Sequence, residues 1–144
     1  MKFRLKLKPY RGAGLLLSWR SPEGVLYVAL GKRRIKPQQG SWSIAGGKRD
    51  PGDADYRATA LREFKEELSL IPGVTIRPEN LKPVFTRFFG VFNWRTFAYE
   101  LSGAVQPELG RGRDNEFSEL AWFPVDNLPE PLHWGVRQAV SRVR

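Results

Sequence analysis

Three glutamates near the middle of the chain have types and spacing that suit metal chemistry. Glu63, Glu66 and Glu67 stand at i, i+3 and i+4, so a helix over this segment places their carboxylates on one face. Like charges at this spacing destabilise a helix unless a cation compensates them, and hard oxygen ligands suit Mg²⁺ or Mn²⁺. The same pattern is also typical of an ordinary charged helix face, on which Arg62 and Lys65 would form ion pairs.

A glycine-rich loop lies directly upstream of these glutamates. Gly46, Gly47 and Gly52 allow backbone carbonyls and amides to approach a metal or a phosphate closely, because glycine has no Cβ. Taken alone, the loop is typical of a turn between a strand and a helix. The loop and the acidic helix together indicate a site for a metal and a phosphate group.

A helix from Asp55 to Leu70 is predicted to carry the carboxylates. Its apolar residues recur at i, i+3 and i+7 and form one stripe, which consists of Leu61, Phe64 and Leu68. Asp53 or Asp55 can cap the start of the helix. Pro72 and Gly73 mark its end.

Strand patterns flank this helix on both sides. The predicted strands cover residues 2–8, 14–19, 25–30, 81–92, 94–101 and 120–123, and a final helix covers 133–143. In the first strand Lys and Arg alternate with apolar residues, which indicates a basic face that protects a sheet edge. The order of strands, helix, strands and helix predicts an α+β fold, a mixed sheet with helices on its faces.

Length and composition limit the classes of protein that the chain can form. Its 144 residues and 41% apolar content predict one domain over residues 1–144. The absence of cysteine excludes disulfides and thiolate metal sites and indicates a reducing cytoplasm. No apolar run is long enough for a membrane span. The formal charge of +9 attracts phosphate-bearing molecules or serves only solubility.

Residues 43–70 resemble the signature of the Nudix (MutT-like) hydrolase family. That pattern has Gly, five residues, Glu, seven residues, Arg-Glu, an apolar residue, any residue, Glu-Glu, any residue, Gly and an apolar residue. Here Gly47 is followed after five residues by Asp53, and the second half reads REFKEELSL from Arg62 to Leu70. Outside the signature, the resemblance includes Gly40-Ser41-Trp42, Trp122-Phe123-Pro124 and Leu128-Pro129, so that it covers roughly residues 12–140.

The chain departs from the family pattern at four positions. Asp53 replaces Glu, eight residues instead of seven separate it from Arg62, Ser69 replaces the last Gly, and Ala45 stands where many members have Pro. In the family the first acid mainly braces the loop and the arginine. The metal-binding half of the pattern is therefore intact.

The resemblance implies a Nudix α/β/α sandwich and a pyrophosphohydrolase that uses Mg²⁺ or Mn²⁺ to cleave a nucleoside diphosphate linked to another moiety. It implies metal ligation by Glu63, Glu66, Glu67 and the Gly46 carbonyl, and a structural pair of Arg62 with Asp53. Family members also use an acid from a distant loop as a ligand or base. Glu116 is the first candidate for that catalytic role and Glu119 the second.

Residues that contact the substrate are harder to assign. Arg33, Arg34 and Lys48 are candidate phosphate contacts, beside the alternative of ordinary solvated charge. The aromatic residues of the strands around Gly90 could stack on a base, although core packing is the more common role of such residues: Phe85, Phe88, Phe89, Phe92 and Trp94. Trp134 and His133 are expected to pack near the last helix.

Two other functions compete with hydrolysis. One is a basic nucleotide- or RNA-binding module in which the acidic helix is structural, and the other is a Nudix fold that binds nucleotides without cutting them. An RNA 5′ end would reconcile the basic charge with the signature, beside small nucleotide derivatives as substrates. The family resemblance also allows a homodimer.

Overall fold

A computed structural model describes residues 8–110 and 115–144. Nine strands and two helices of at least two turns follow one another in the described residues. In chain order they are β1 (Tyr10–Arg20), β2 (Leu26–Arg33), β3 (Trp42–Ser43), β4 (Ala45–Lys48), α1 (Tyr56–Glu67), β5 (Leu68–Ile71), β6 (Lys82–Phe89), β7 (Phe92–Leu101), β8 (Gln106–Leu109), β9 (Phe117–Pro124) and α2 (Val136–Val143). A 3₁₀ turn, Pro78–Asn80, precedes β6.

The larger sheet is mixed. Its path is β3-β2-β1-β7-β6, with β4 paired to β1 and β9 paired to β2, while β5 and β8 form a small second sheet. β1 pairs with β7 in parallel, from Tyr10 opposite Phe92 to Trp19 opposite Leu101. β1 also pairs antiparallel with both β2 and β4. This central strand is almost entirely apolar from Ala13 to Leu17 because both of its faces are covered.

The two faces of the sheet bury two separate cores. On one face Ala13, Leu15 and Leu17 of β1 pack with the α1 residues Ala60, Leu61 and Phe64. On the other face Leu16, Val28 and Leu30 pack with the α2 residues Val136, Ala139 and Val140. Successive β1 side chains therefore serve opposite layers, as strand alternation requires. The mixed sheet with one helix on each face is the predicted α/β/α sandwich.

The acidic helix is shorter than its periodicity predicts. Asp55 caps its start by accepting a hydrogen bond from the Ala58 N–H at 2.8 Å, and the helix ends at Glu67. Leu68 is extended, and β5 continues from it with Leu68 and Leu70 buried and Ser69 and Ile71 exposed. The sequence prediction to Leu70 was wrong because an apolar residue at 68 satisfies the helical and the strand period equally.

Other boundaries also differ from the sequence prediction. The last helix begins at Val136 instead of His133, and β9 begins at Phe117, so that Glu119 lies within a strand. β2 continues to Arg33, three residues beyond the predicted end of the strand at residue 30. The strand predicted over residues 2–8 lies outside the described residues except for Lys8. Among the described residues, no helix is long and apolar enough to cross a membrane.

Candidate active site

Arg62 is bound to Asp53 in the first part of the candidate site. Its Nε donates to Oδ1 of Asp53 at 3.0 Å and its Nη2 to Oδ2 at 3.1 Å. Oδ2 also accepts from the Thr59 hydroxyl at 2.8 Å and from the Asp50 N–H at 2.9 Å. The hydrogen bonds from Arg62 lower the pKa of Asp53 to about 2. The pair predicted from the family resemblance is formed despite the shorter side chain and the additional residue.

The same guanidinium reaches the glutamates of α1. Nη1 of Arg62 donates to Oε1 of Glu63 at 3.1 Å and to Oε1 of Glu66 at 3.0 Å. Nη2 also donates to the Lys48 carbonyl at 3.0 Å, which joins the helix to the end of β4. Arg62 thus fixes the loop, the strand and two of the three helix carboxylates relative to one another.

Glu67 is the buried member of the cluster, with 4% of its surface exposed. Its Oε2 accepts a hydrogen bond from the Glu116 N–H at 3.0 Å. Burial raises the pKa of Glu67 to about 7, and the carboxylates of Glu116, Glu63 and Glu66 add to the increase. Burial also raises the pKa of both Glu63 and Glu116. The site therefore concentrates more negative charge than Arg62 neutralises.

Glu116 lies beside this cluster, whereas Glu119 is exposed on β9 opposite Lys32. The position of Glu116 depends on Asn115, a buried residue that the sequence did not single out. The Asn115 amide donates to the carbonyls of Glu67 at 3.2 Å and Gly110 at 2.8 Å, and its Oδ1 accepts from the Phe117 N–H at 2.9 Å. A lone Asn in a polar loop gives no sequence signal for such a role.

β4 brings the glycine loop against the helix. A Cβ added at Gly47 would meet the Glu63 carboxyl carbon at 2.5 Å, so any other residue there would displace that carboxylate. The Arg49 N–H donates to the Arg11 carbonyl, so these two residues are a hydrogen-bonded pair at the end of the ladder between β4 and β1. In an antiparallel ladder such pairs alternate with pairs whose N–H and C=O groups point away from the partner strand. Gly46, paired with Gly14, is therefore a residue whose carbonyl points away from β1. That orientation leaves the Gly46 carbonyl available as a ligand.

The three predicted phosphate contacts occupy different places. Nη1 of Arg33 lies 3.9 Å from Oε2 of Glu116, and the Arg33 side chain is only 11% exposed. The Arg34 guanidinium donates to the Asn115 carbonyl, and the Arg34 N–H donates to the Glu116 carbonyl at 2.7 Å. Lys48 is exposed. The structure thus brings Arg33 and Arg34 to Glu116 and leaves the Lys48 side chain in solvent.

Several aromatic residues expected in the core are exposed. Phe88 and Phe89 at the end of β6 are 72% and 79% exposed, and Trp134 is 67% exposed. Phe85, Phe92 and Trp94 are partly buried. Tyr10 stacks on Phe92 with ring centroids 5.3 Å apart. Burial raises the pKa of Tyr10, and Glu116 and Glu63 raise it further, so this tyrosine borders the carboxylates without having been predicted.

The residues present fit a divalent cation by their chemistry. Among residues 8–110 and 115–144, no three acidic or imidazole groups converge on one point in this arrangement. In this arrangement the Arg62 guanidinium forms ion pairs with the carboxylates of Glu63 and Glu66. The donors are nonetheless all hard oxygens, and burial, followed by the neighbouring carboxylates, raises the pKa of Glu67, which a bound cation would oppose. Glu63, Glu66, Glu67 and the Gly46 carbonyl are the groups that would hold a divalent cation.

A comparison with known families agrees with this geometry. The family model of the NUDIX domain matches residues 9–143. The chain belongs to the NUDIX family. Within this NUDIX domain, the matched region contains β4, α1 and the Asn115–Glu116 segment, so the carboxylates and the residues that position them all lie inside it.

Curated relatives of this NUDIX domain carry names that state an activity. It is 42% identical over 140 residues to the mitochondrial coenzyme A diphosphatase of Homo sapiens. The aligned region covers 92% of this chain and 56% of that relative. It is 47% identical over 131 residues to the peroxisomal coenzyme A diphosphatase of Mus musculus. The aligned region covers 84% of this chain and 50% of that relative. The chain thus spans about half the length of these relatives.

Solved structures show the same fold. The crystal structure of a MutT NUDIX hydrolase from Burkholderia pseudomallei superposes with a TM-score of 0.68 at 24% identity, over 96% of this chain and 100% of that chain. The arrangement of sheet and helices in this NUDIX domain is therefore the family's.

Proposed function

We propose that this chain is a divalent-metal-dependent pyrophosphohydrolase that cleaves a nucleoside diphosphate linked to another moiety. The observation that supports it most is the buried Glu67 carboxyl, whose pKa of about 7 reflects burial beside three other carboxylates. Such a cluster destabilises a fold unless a cation compensates it, and strongly perturbed pKa values are concentrated at functional sites. Membership of the NUDIX family agrees with this chemistry.

The side chains divide the work between binding and proton transfer. A pyrophosphate resists an anionic nucleophile, and bound Mg²⁺ or Mn²⁺ would neutralise its charge and lower the pKa of the attacking water. Arg62 holds the glutamates in place, and Arg33 can contact a phosphate oxygen beside Glu116. Glu116 is the group proposed to accept the proton from water, since burial raises its pKa toward that of a general base.

Coenzyme A or a derivative of it is the substrate that we propose. Two relatives with 42% and 47% identity are named coenzyme A diphosphatases. Coenzyme A contains a nucleoside diphosphate linked to a second group, which fits the reaction class. The formal charge of +9 would raise the local concentration of such an anion.

The test measures product release from coenzyme A, ADP-ribose, dinucleoside polyphosphates, dNTPs and RNA with a 5′ triphosphate. Each is incubated with the wild type, with Glu67→Gln and with the exposed control Glu119→Gln, with and without Mg²⁺ or Mn²⁺. We expect metal-dependent cleavage that falls at least about 100-fold in Glu67→Gln and persists in Glu119→Gln. Equal activity in the wild type and Glu67→Gln would contradict the proposal.

A basic nucleotide- or RNA-binding module is the second candidate, and the charge of +9 is what favours it. Its binding to RNA would weaken steeply as the salt concentration rises. If no substrate is cleaved while RNA binds in this salt-dependent way, the binding function replaces hydrolysis.

A further inference from the structure

A groove lies between the end of β6 and the segment that precedes α2. Its volume is about 430 Å³, which is within the range of small-molecule sites. The side chains that give it chemical character are Arg87, Glu130, His133, Trp134, Arg137 and Gln138. None of them belongs to the carboxylate cluster of α1.

Two guanidiniums in this groove lack a carboxylate partner. Within the described ranges, Arg87 and Arg137 have no acidic oxygen within 4.0 Å, although Glu130 lines the same groove. Both arginines are exposed, and they come from different elements, β6 and α2. Two arginines that converge on one groove without an ion pair suit a phosphate dianion, because each guanidinium offers a fork of N–H donors.

Trp134 provides a flat wall beside these charges. Its indole is 67% exposed and stacks on the His133 ring, with centroids 5.7 Å apart and an interplanar angle of 28°. Its backbone N–H donates to Oε1 of Gln38 at 3.2 Å, so the main chain is tied to the loop after β2. A fixed and exposed indole next to cations suits a group that carries both an aromatic ring and phosphate.

The loop after β2 connects this groove with the carboxylate cluster. Arg33, the last residue of β2, has its Nη1 3.9 Å from Oε2 of Glu116, and its N–H donates to the Ser41 carbonyl at 2.8 Å. Gln38, within the same loop, contacts Trp134. A single extended ligand can therefore lie along this loop, with its pyrophosphate at Glu116 and its other end in the groove.

We propose that Arg87 and Arg137 bind a phosphomonoester that the nucleotide moiety of the substrate carries apart from the scissile pyrophosphate. This specificity rests on the proposed hydrolysis. The groove selects substrates with that additional phosphate over the same compounds without it. Arg87 and Arg137 affect substrate binding and leave the chemical step unchanged.

The test compares coenzyme A with dephospho-coenzyme A, which lacks only the phosphomonoester. In the wild type we expect kcat/KM to favour the phosphorylated compound by at least about tenfold, since hydrogen bonds to charged groups are the stronger class. In the double variant Arg87→Ala/Arg137→Ala the preference should approach one through a higher KM, with kcat unchanged. The control Arg142→Ala removes an exposed arginine of the same helix outside the groove and should keep the wild-type preference.

A wild-type preference near one, or a preference that survives in the double variant, would overturn the inference. If neither compound is hydrolysed, coenzyme A is not the substrate, and calorimetry with the metal-free protein then tests the groove by itself. Adenosine 3′,5′-bisphosphate should bind at least about tenfold more tightly than AMP to the wild type and equally to the double variant. Equal binding of both nucleotides to the wild type would refute the site.

Discussion

The guanidinium of Arg62 and the carboxylate of Asp53 form two parallel hydrogen bonds, of 3.0 and 3.1 Å, across the loop that connects β4 with α1. A shorter acid in place of glutamate and one additional residue in the loop would each, alone, change the distance between the two side chains. The two changes together leave the pair intact, and the Thr59 hydroxyl and the Asp50 N–H also hold the Asp53 carboxylate in position. This anchor fixes the arginine that positions Glu63 and Glu66.

Replacing Asp53 by Asn should lower the free energy of unfolding at pH 7 by about 1 to 3 kcal/mol, since a charged hydrogen-bond pair with little exposure is lost. The folded-state pKa of Asp53, about 2, lies below the ordinary value of 3.8 for an aspartate. Its contribution is therefore complete above pH 3.8 and is lost as the pH falls toward 2. Urea unfolding across this range should show the loss in the wild type and its absence in Asp53→Asn.

Asp50 offers the matched control for that experiment. It also approaches Arg62, at 3.5 Å, but its side chain is 62% exposed. Asp50→Asn should change the free energy of unfolding by less than about 0.5 kcal/mol. An equal effect of the two substitutions would show that the anchor is not the source of the stability.

Substituting Gly47 by Ala should weaken metal binding and metal-dependent cleavage. The new methyl group would meet the Glu63 carboxyl carbon at 2.5 Å and displace that carboxylate. Gly52→Ala in the same loop is the control, because nothing lies within 4 Å of the added Cβ there. Titration with Mn²⁺ should show a loss of affinity in Gly47→Ala alone; wild-type affinity in that variant would remove Glu63 from the ligand set.

Asn115→Ala should lower both stability and kcat. Three hydrogen bonds of the buried amide are lost, which costs about 1 to 3 kcal/mol, and the Glu116 N–H is no longer held against Glu67. The exposed Asn127→Ala serves as the control. Thermal unfolding and steady-state kinetics separate the effects, since a purely structural role for Asn115 would lower stability without changing kcat of the folded fraction.

Metal affinity should depend on pH through Glu67. Its folded pKa is raised to about 7, so below that pH a proton occupies the carboxyl, and a cation must displace it. Apparent Mn²⁺ affinity should therefore rise with pH between about 5 and 7 and level off above 7, approaching about tenfold per pH unit at the lower end. Glu67→Gln should bind more weakly and lose this part of the pH dependence, whereas an unchanged profile would exclude Glu67 as a ligand.

The helix and its carboxylates could be predicted because their signals are local. Glu63, Glu66 and Glu67 lie within two turns of one helix, so their spacing alone defines a common face. The choice between Glu116 and Glu119 could not be made from spacing. It depends on the register of β9 against β2, where a bulge after Lys32 shifts the pairing, and such irregularities have no reliable sequence signal.

Burial of the aromatic residues was the weakest part of the sequence prediction. Phe88 and Phe89 are neighbours on β6, so they point to opposite faces, yet both are largely exposed near the end of the strand. Trp134 lies before the eight-residue α2, outside the helix face that packs on the sheet, and is 67% exposed. Composition indicates how much apolar surface a chain contains, but not which part of a sheet its helices cover.

The parallel pairing of β1 with β7 has a consequence for how the protein reaches its active form. Tyr10 meets Phe92 and Trp19 meets Leu101, so the centre of the sheet joins strands from distant parts of the chain. Contacts of such long sequence separation slow folding, because a large loop must close before they form. During synthesis β1 must wait until Leu101 has left the ribosome, and Glu67 gains its hydrogen bond from the Glu116 N–H later still. The carboxylate cluster is thus completed only after Glu116 has been made, well after the signature helix itself.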